Sequence, residues 1–141
     1  MISFLQSTPS AIQIGLLVLR VGIGLIYMAH GYPKLMGGVA TWQWCGQQMA
    51  LFGIHFLPVF WGLCAALAEF LGGFALALGL CTRFAAALLL CVMVVALAYH
   101  LHNKDSFAVY SHPLTLLVVF TSFIIMGGGN YSFDTVLLFN K

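Results

Sequence analysis

Two charged residues interrupt long apolar runs in this chain. Arg20 lies in "AIQIGLLVLRVGIGLIYMAHG" and Glu69 in "VFWGLCAALAEFLGGFALALGL". A charge surrounded by hydrocarbon is costly, so such residues face the interior of a bundle, pair, and mark functional sites. Each sits about ten residues into its run, which places both near the bilayer midplane. Gly24, Tyr27 and Gly31 share the Arg20 face at helical spacing, and Gly62 and Gly73 lie close to the Glu69 face. Small residues let helices approach closely, so this pattern predicts an Arg20–Glu69 contact inside the bundle. Such a contact reads either as an ion pair that sets helix register or as a buried polar site where a ligand or proton meets the pair.

Histidine is the second chemical signal: His30, His55, His100, His102 and His112. Three of them fall in "YHLHNKDSFAVYSHP", residues 99–113, together with Lys104 and Asp105. Imidazole serves as a metal or haem ligand, as a proton relay, or as a hydrogen-bond partner for a quinone carbonyl. His102 stands roughly 200° round a helix from His100, so one ligand cannot take both. His30 and His100 are the pair expected to converge, with His112 or His102 as a further metal ligand. The plainer reading is that each histidine is a polar residue tolerated at the membrane interface. Cys45, Cys64, Cys81 and Cys91 show no CxxC or zinc-type spacing and read as small hydrophobes. No nucleophile–base pattern, P-loop or dinucleotide fingerprint is present.

The elements that must position these groups follow from composition. Of 141 residues, 62% are hydrophobic and only 6% charged, and the mean hydropathy is +1.06. Such a chain cannot cover itself with a polar surface, and the lipid bilayer is its first partner. A net charge of +2 without a basic cluster excludes nucleic acid as a partner. Apolar runs place membrane spans over residues 11–31, 59–80, 84–101 and 113–129, the last extended by "GGG". Backbone groups must be satisfied internally in lipid, so the spans are helices. Arg20 in mid-run and the absence of an earlier basic residue argue for a retained helix, not a cleaved signal.

Residues 32–58 are too polar to span, and Trp42, Trp44, Phe52 and Phe56 suit an interfacial segment. Asp134 is expected to cap a short amphipathic tail and, with Arg83, to clasp that tail against the "CTR" turn at 81–83. The expected fold is all-α: an integral membrane four-helix bundle, one domain over 1–141, with a short interfacial segment between the first two spans. Alternating spans bring all five histidines to one face, with Lys34, Lys104, Asp105, Trp42, Trp44, Tyr99 and Tyr110. Lys34 and Lys104 on that face balance Arg83 and Lys141 on the other, so charge alone does not orient the chain.

Three stretches carry a resemblance to a known family. "LRVGIGLIYMAHGYPKL" (19–35), "EFLGGFALALGLCTRFAA" (69–86) and "GGGNYSFD" (127–134) resemble, in order, motifs of DoxX membrane proteins. The resemblance implies a four-helix protein of a bacterial or archaeal plasma (inner) membrane. It further implies cytoplasmic termini and an extracytoplasmic histidine face. Relatives are linked to thiosulfate:quinone oxidoreductase and to membrane complexes handling oxidative and thiol stress.

Three functional expectations result. The first is a quinone-linked oxidoreductase subunit in which Arg20, Glu69, His30 and His100 act on the ligand or its protons, lined by Tyr27, Lys34 and Tyr99. The second is a non-catalytic anchor for a soluble redox partner. The third is a haem- or metal-binding module using His30, His100 and His112. A homo-oligomer is compatible with all three.

Overall fold

The first helix starts where the sequence supplies both a cap and a rigid entry. Thr8 accepts a side-chain hydrogen bond from the Ala11 amide at 3.2 Å, and Pro9 occupies the first helical position. The structure, a computed structural model, describes residues 8–139. Helix α1 spans Pro9–Met36, running through Pro33 and past the expected end at Gly31. After it come α2 (Gly38–Gln47), a 3-10 helix (Gln48–Phe52), α3 (Pro58–Leu78), α4 (Thr82–His102), α5 (Phe107–Met126) and α6 (Phe133–Phe139). No strand occurs among the described residues. α1, α3, α4 and α5 are each long and apolar enough to cross a membrane, and the chain is a multi-pass membrane protein.

α1 and α3 pack antiparallel through small residues. A Cβ on Gly24 would lie 2.6 Å from the Gly73 carbonyl oxygen, and one on Gly31 would lie 2.5 Å from the Phe70 amide nitrogen. Only glycine permits that approach. The polar segment after α1 is helical, and it packs backbone to backbone on α3. A Cβ on Gly46 would fall on the Pro58 carbonyl, and one on Gly62 on the Trp42 carbonyl. The core between α3, α4 and α5 is closed by Leu76, Ala86, Leu89, Phe120 and Phe123, all fully buried.

Two boundaries differ from the sequence expectation. The polar stretch 99–113 is not a loop: α4 runs to His102 and α5 starts at Phe107, leaving only a short turn. Pro113 lies inside α5, where it forfeits one backbone hydrogen bond without ending the helix. The fourth span is therefore Phe107–Met126 rather than 113–129, and it stops at Gly127 with φ 74°.

Asp134 also acts otherwise than expected. Its carboxylate accepts from the amides of Cys81 at 2.6 Å and Thr82 at 2.8 Å, so it caps α4 from a distant part of the chain. Cys81, at φ 47°, supplies no side-chain cap of its own. Arg83 does not pair with Asp134; its Nη2 donates to the Ile125 carbonyl at 3.3 Å. The tail is clasped to the α3–α4 turn through backbone donors instead.

Candidate functional site

The glycine register of α1 on α3 decides where the two buried charges go. Gly31 faces Glu69 and Phe70, whereas Gly24 faces Gly73 and Ala77. Glu69 is thus level with Gly31, which is about 16 Å along α1 from Arg20 at helical rise. The structure does not bring Arg20 and Glu69 together. Arg20 sits level with the α3–α4 turn, 1% exposed, with Nη2 donating to the Tyr131 carbonyl at 2.8 Å. A Cβ on Gly79 would fall on its Nη1. Arg20 therefore ties the tail to α1, packed beside the turn at the end of the bundle away from the histidines. Counting depth from the ends of apolar runs failed because it ignored this inter-helix register.

Glu69 pairs with Lys34 instead. Lys34 Nζ donates to Glu69 Oε1 at 2.6 Å, with the lysine side chain 37% exposed and the glutamate 2%. The pair joins the last turns of α1 to the middle of α3. α2 is fastened to the same point, because Trp42 Nε1 donates to the Lys34 carbonyl at 3.0 Å.

Beside this pair, α2, α3 and α4 enclose a cavity of about 520 Å³. Its wall is mostly apolar, with Lys34, Gln48, Glu69, Trp61, Tyr99 and His100 among its polar or part-polar residues. Two residues that line it each carry a buried polar atom with no hydrogen-bond partner among the described residues: Glu69 Oε2, an acceptor, and Trp61 Nε1, a donor. Buried polar groups are normally satisfied, so an orphan of each kind in one wall calls for an explanation. His100 is held by Asp105, whose Oδ2 lies 2.7 Å from Nδ1, which leaves Nε2 as the free ring nitrogen. Both partners are partly solvent-exposed, at 28% and 34%.

The cavity also gathers Cys45, Cys64 and Cys91, which were read from sequence only as small hydrophobes. Burial pushes the Cys45 thiol above its usual range, opposed by the Lys34 charge and reinforced by Glu69. Trp61, like the thiols, carried no sequence signal beyond its place near a span end. Lys34 did carry one, since it continues the Gly24–Tyr27–Gly31 stripe by one further helical step.

The other expected site residues are distributed as follows. Tyr99 lines the cavity and meets Trp44 edge-on at 6.1 Å. Tyr27 is buried behind it, its hydroxyl donating to Met93 Sδ at 2.9 Å. His30 does not converge with His100; its ring meets that of His112 at 6.3 Å, and both are exposed. His55 and His102 are exposed as well. Among the described residues no three His, Cys, Asp or Glu side chains come close enough to hold a metal ion. The set His30, His100 and His112 is therefore not assembled, because Asp105 holds His100 while His112 turns to His30.

The arrangement suits a flat, largely apolar ligand carrying both an acceptor and a donor. Trp61 carries a spare donor and Glu69 Oε2 a spare acceptor, which a small side-chain shift would turn to such a ligand, and Lys34 adds a nearby positive charge.

Comparison with known proteins places the chain. The sequence model of the DoxX family matches residues 15–102. The chain belongs to the DoxX family. Every residue of the cavity wall falls within that DoxX stretch, whereas Asp134 and the tail lie beyond it. The chain is also similar to a Bacillus subtilis (strain 168) protein named "Putative oxidoreductase CatD", with 34% identity over 85 residues. That match covers 60% of this DoxX chain and 58% of the relative. No solved structure matches.

Proposed function

We propose that this DoxX protein is a quinone-binding membrane subunit of an oxidoreductase, with its site in the cavity between α2, α3 and α4. The observation that carries the reading is the pair of orphaned buried atoms, Trp61 Nε1 and Glu69 Oε2, on two residues that line one largely apolar cavity. A quinone ring presents carbonyl acceptors when oxidised and hydroxyl donors when reduced. Trp61 donates to an oxygen of the ring, and Glu69 Oε2 accepts the hydroxyl of the reduced form. Lys34 neutralises Glu69 and holds its other oxygen in place. His100, fixed by Asp105 at the partly exposed rim, passes protons between the cavity and water.

Electrons come from a soluble partner protein, for which the bundle serves as membrane anchor. The membrane is the plasma membrane of a prokaryotic cell, with the histidine-bearing end outside the cytoplasm. The name of the Bacillus subtilis relative supports a redox role.

The test is extraction of the gently purified protein, with mass spectrometry of the lipid fraction. Co-purified quinone at near-stoichiometric amounts, diminished in Glu69→Gln and Trp61→Phe but kept in Arg20→Lys, is the expected result. Protein that carries no quinone, and binds none when it is added, would leave only the anchor role.

A further inference from the structure

A second cavity, of about 450 Å³, runs along the lipid-facing seam of α3 and α4. It shares the lining residues Cys64, Ala68 and Leu88 with the first cavity, so the two adjoin. Beyond them its wall is formed by Leu71, Ala75 and Phe84, ending at Cys81 in the α3–α4 turn. Cys64, Ala68, Leu71 and Ala75 recur at three- and four-residue steps and so share one face of α3. From Cys64 to Ala75 the groove covers about three helical turns, on the order of 16 Å. Its outer lip lies open to lipid, since Leu71 and Phe84 are 53% and 67% exposed.

We infer that this groove holds the hydrocarbon tail of the molecule whose polar ring occupies the cavity beside Glu69, an inference that rests on the quinone reading above. The adjoining cavities are polar at one end and apolar along the rest, an order that matches a neutral ring carrying a long linear tail. A small water-soluble substrate would have no use for the groove. A phospholipid is disfavoured at the head, because Glu69 Oε2 is an unpartnered acceptor and Lys34, the cation of that wall, is already paired with Oε1. The geometry also agrees with the bilayer. The ring lies toward the histidine-bearing end, and the tail runs from there along the lipid-facing seam toward the opposite end. Lipid contacts offer the tail no hydrophobic gain over the groove, so the groove acts by orienting the ring and not by adding affinity.

Two natural thiols report on the two ends. Cys64 borders both cavities, whereas Cys81 borders only the far end of the groove. The full chain in lipid nanodiscs is treated with N-ethylmaleimide, and alkylation of each cysteine is followed by mass spectrometry. The probes are a ubiquinone with a long isoprenoid tail and the same ring without a tail. At ten times its dissociation constant, the long-tailed quinone slows Cys64 by about tenfold, as occupancy of the ring site requires. It slows Cys81 as well, to a smaller degree set by how much of the time the tail lies in the groove. The tail-less ring slows Cys64 and leaves Cys81 unchanged. In Ala75→Phe, which fills the groove, Cys81 loses its protection by the long-tailed probe while the ring analogue still protects Cys64. If Cys64 is protected but Cys81 responds identically to both probes, the tail lies elsewhere and the ring site stands. If neither probe protects Cys64, the ring site and the tail groove fall together. Should Ala75→Phe not fold, the two probes on the wild-type chain decide the matter alone.

Discussion

Replacing Lys34 by methionine keeps most of the side chain's bulk but removes the only ion-pair partner of Glu69 among the described residues. A hydrogen bond between charged groups contributes about 1.5–3 kcal/mol, and leaving a buried carboxylate without its partner costs about 3–5 kcal/mol. Lys34 remains 37% exposed, so water screens part of the interaction and enters part of the space that it vacates. The expected loss is therefore about 2–3 kcal/mol, at or just below the lower limit of the buried-pair range. For a chain of this size that corresponds to a fall in Tm of roughly 5–12 °C. The assay is thermal unfolding of the detergent-solubilised protein, followed by tryptophan fluorescence, for Lys34→Met, Glu69→Gln and the double variant. The double variant should be more stable than the sum of the single losses implies, with a coupling of about 1–3 kcal/mol. Additive single losses, or a Lys34→Met protein as stable as the wild type, would refute the pairing. Arg20→Met run in parallel should show no coupling to Glu69→Gln, because the glycine register keeps the two apart.

Three further outcomes follow from the same geometry. Asp134→Ala removes the cap on Cys81 and Thr82 at the start of α4 and should cost about 0.5–2 kcal/mol in thermal unfolding, with Asp134→Asn intermediate. Gly62→Ala should prevent recovery of folded protein on size-exclusion chromatography, since its Cβ would fall on the Trp42 carbonyl. Gly72→Ala, with only ordinary contacts to Leu89, should behave as wild type. Cys45, whose thiol is pushed up by burial, holds less thiolate than an ordinary cysteine at any pH near neutral. Its alkylation rate should keep rising with pH beyond the range where a free thiol levels off, and a rate that levels off with free thiol would contradict its buried setting.

The spans were legible because their apolar runs are long and because lipid leaves helix as the only option. Their ends were less so. Pro113 reads as a boundary, yet α5 begins before it, and α1 continues through Pro33. Glu69 was legible as a site residue from its isolation among apolar neighbours, but its partner was not. Depth counted along a single run makes Arg20 and Glu69 equivalent, whereas Gly24 against Gly73 and Gly31 against Glu69 set them about three turns apart. The stripe of Gly24, Tyr27 and Gly31 pointed on to Lys34, and following it by one more step finds the true pair. The cavity itself had no local signature. It exists because Gly46 and Gly62 seat α2 on α3 and leave Trp61, Cys64 and Glu69 facing α4 across a gap, a long-range consequence of two small residues. His100 was singled out by its helix face, but its link to Asp105 arises from a turn that the sequence suggested was a longer loop.

The central claim is that the Trp61–Glu69 wall binds a quinone ring, and equilibrium titration in nanodiscs tests it most directly. Quenching of tryptophan fluorescence by a tail-less ubiquinone analogue should saturate, since Trp44 and Trp61 both line the cavity. Glu69→Gln and Trp44→Phe, which leave Trp61 as a reporter, separate the contributions. Loss of one hydrogen bond at Glu69 should weaken binding by roughly threefold to tenfold, whereas Trp44→Phe should leave the dissociation constant nearly unchanged. Linear, unsaturating quenching that is the same in wild type and Glu69→Gln would contradict the account.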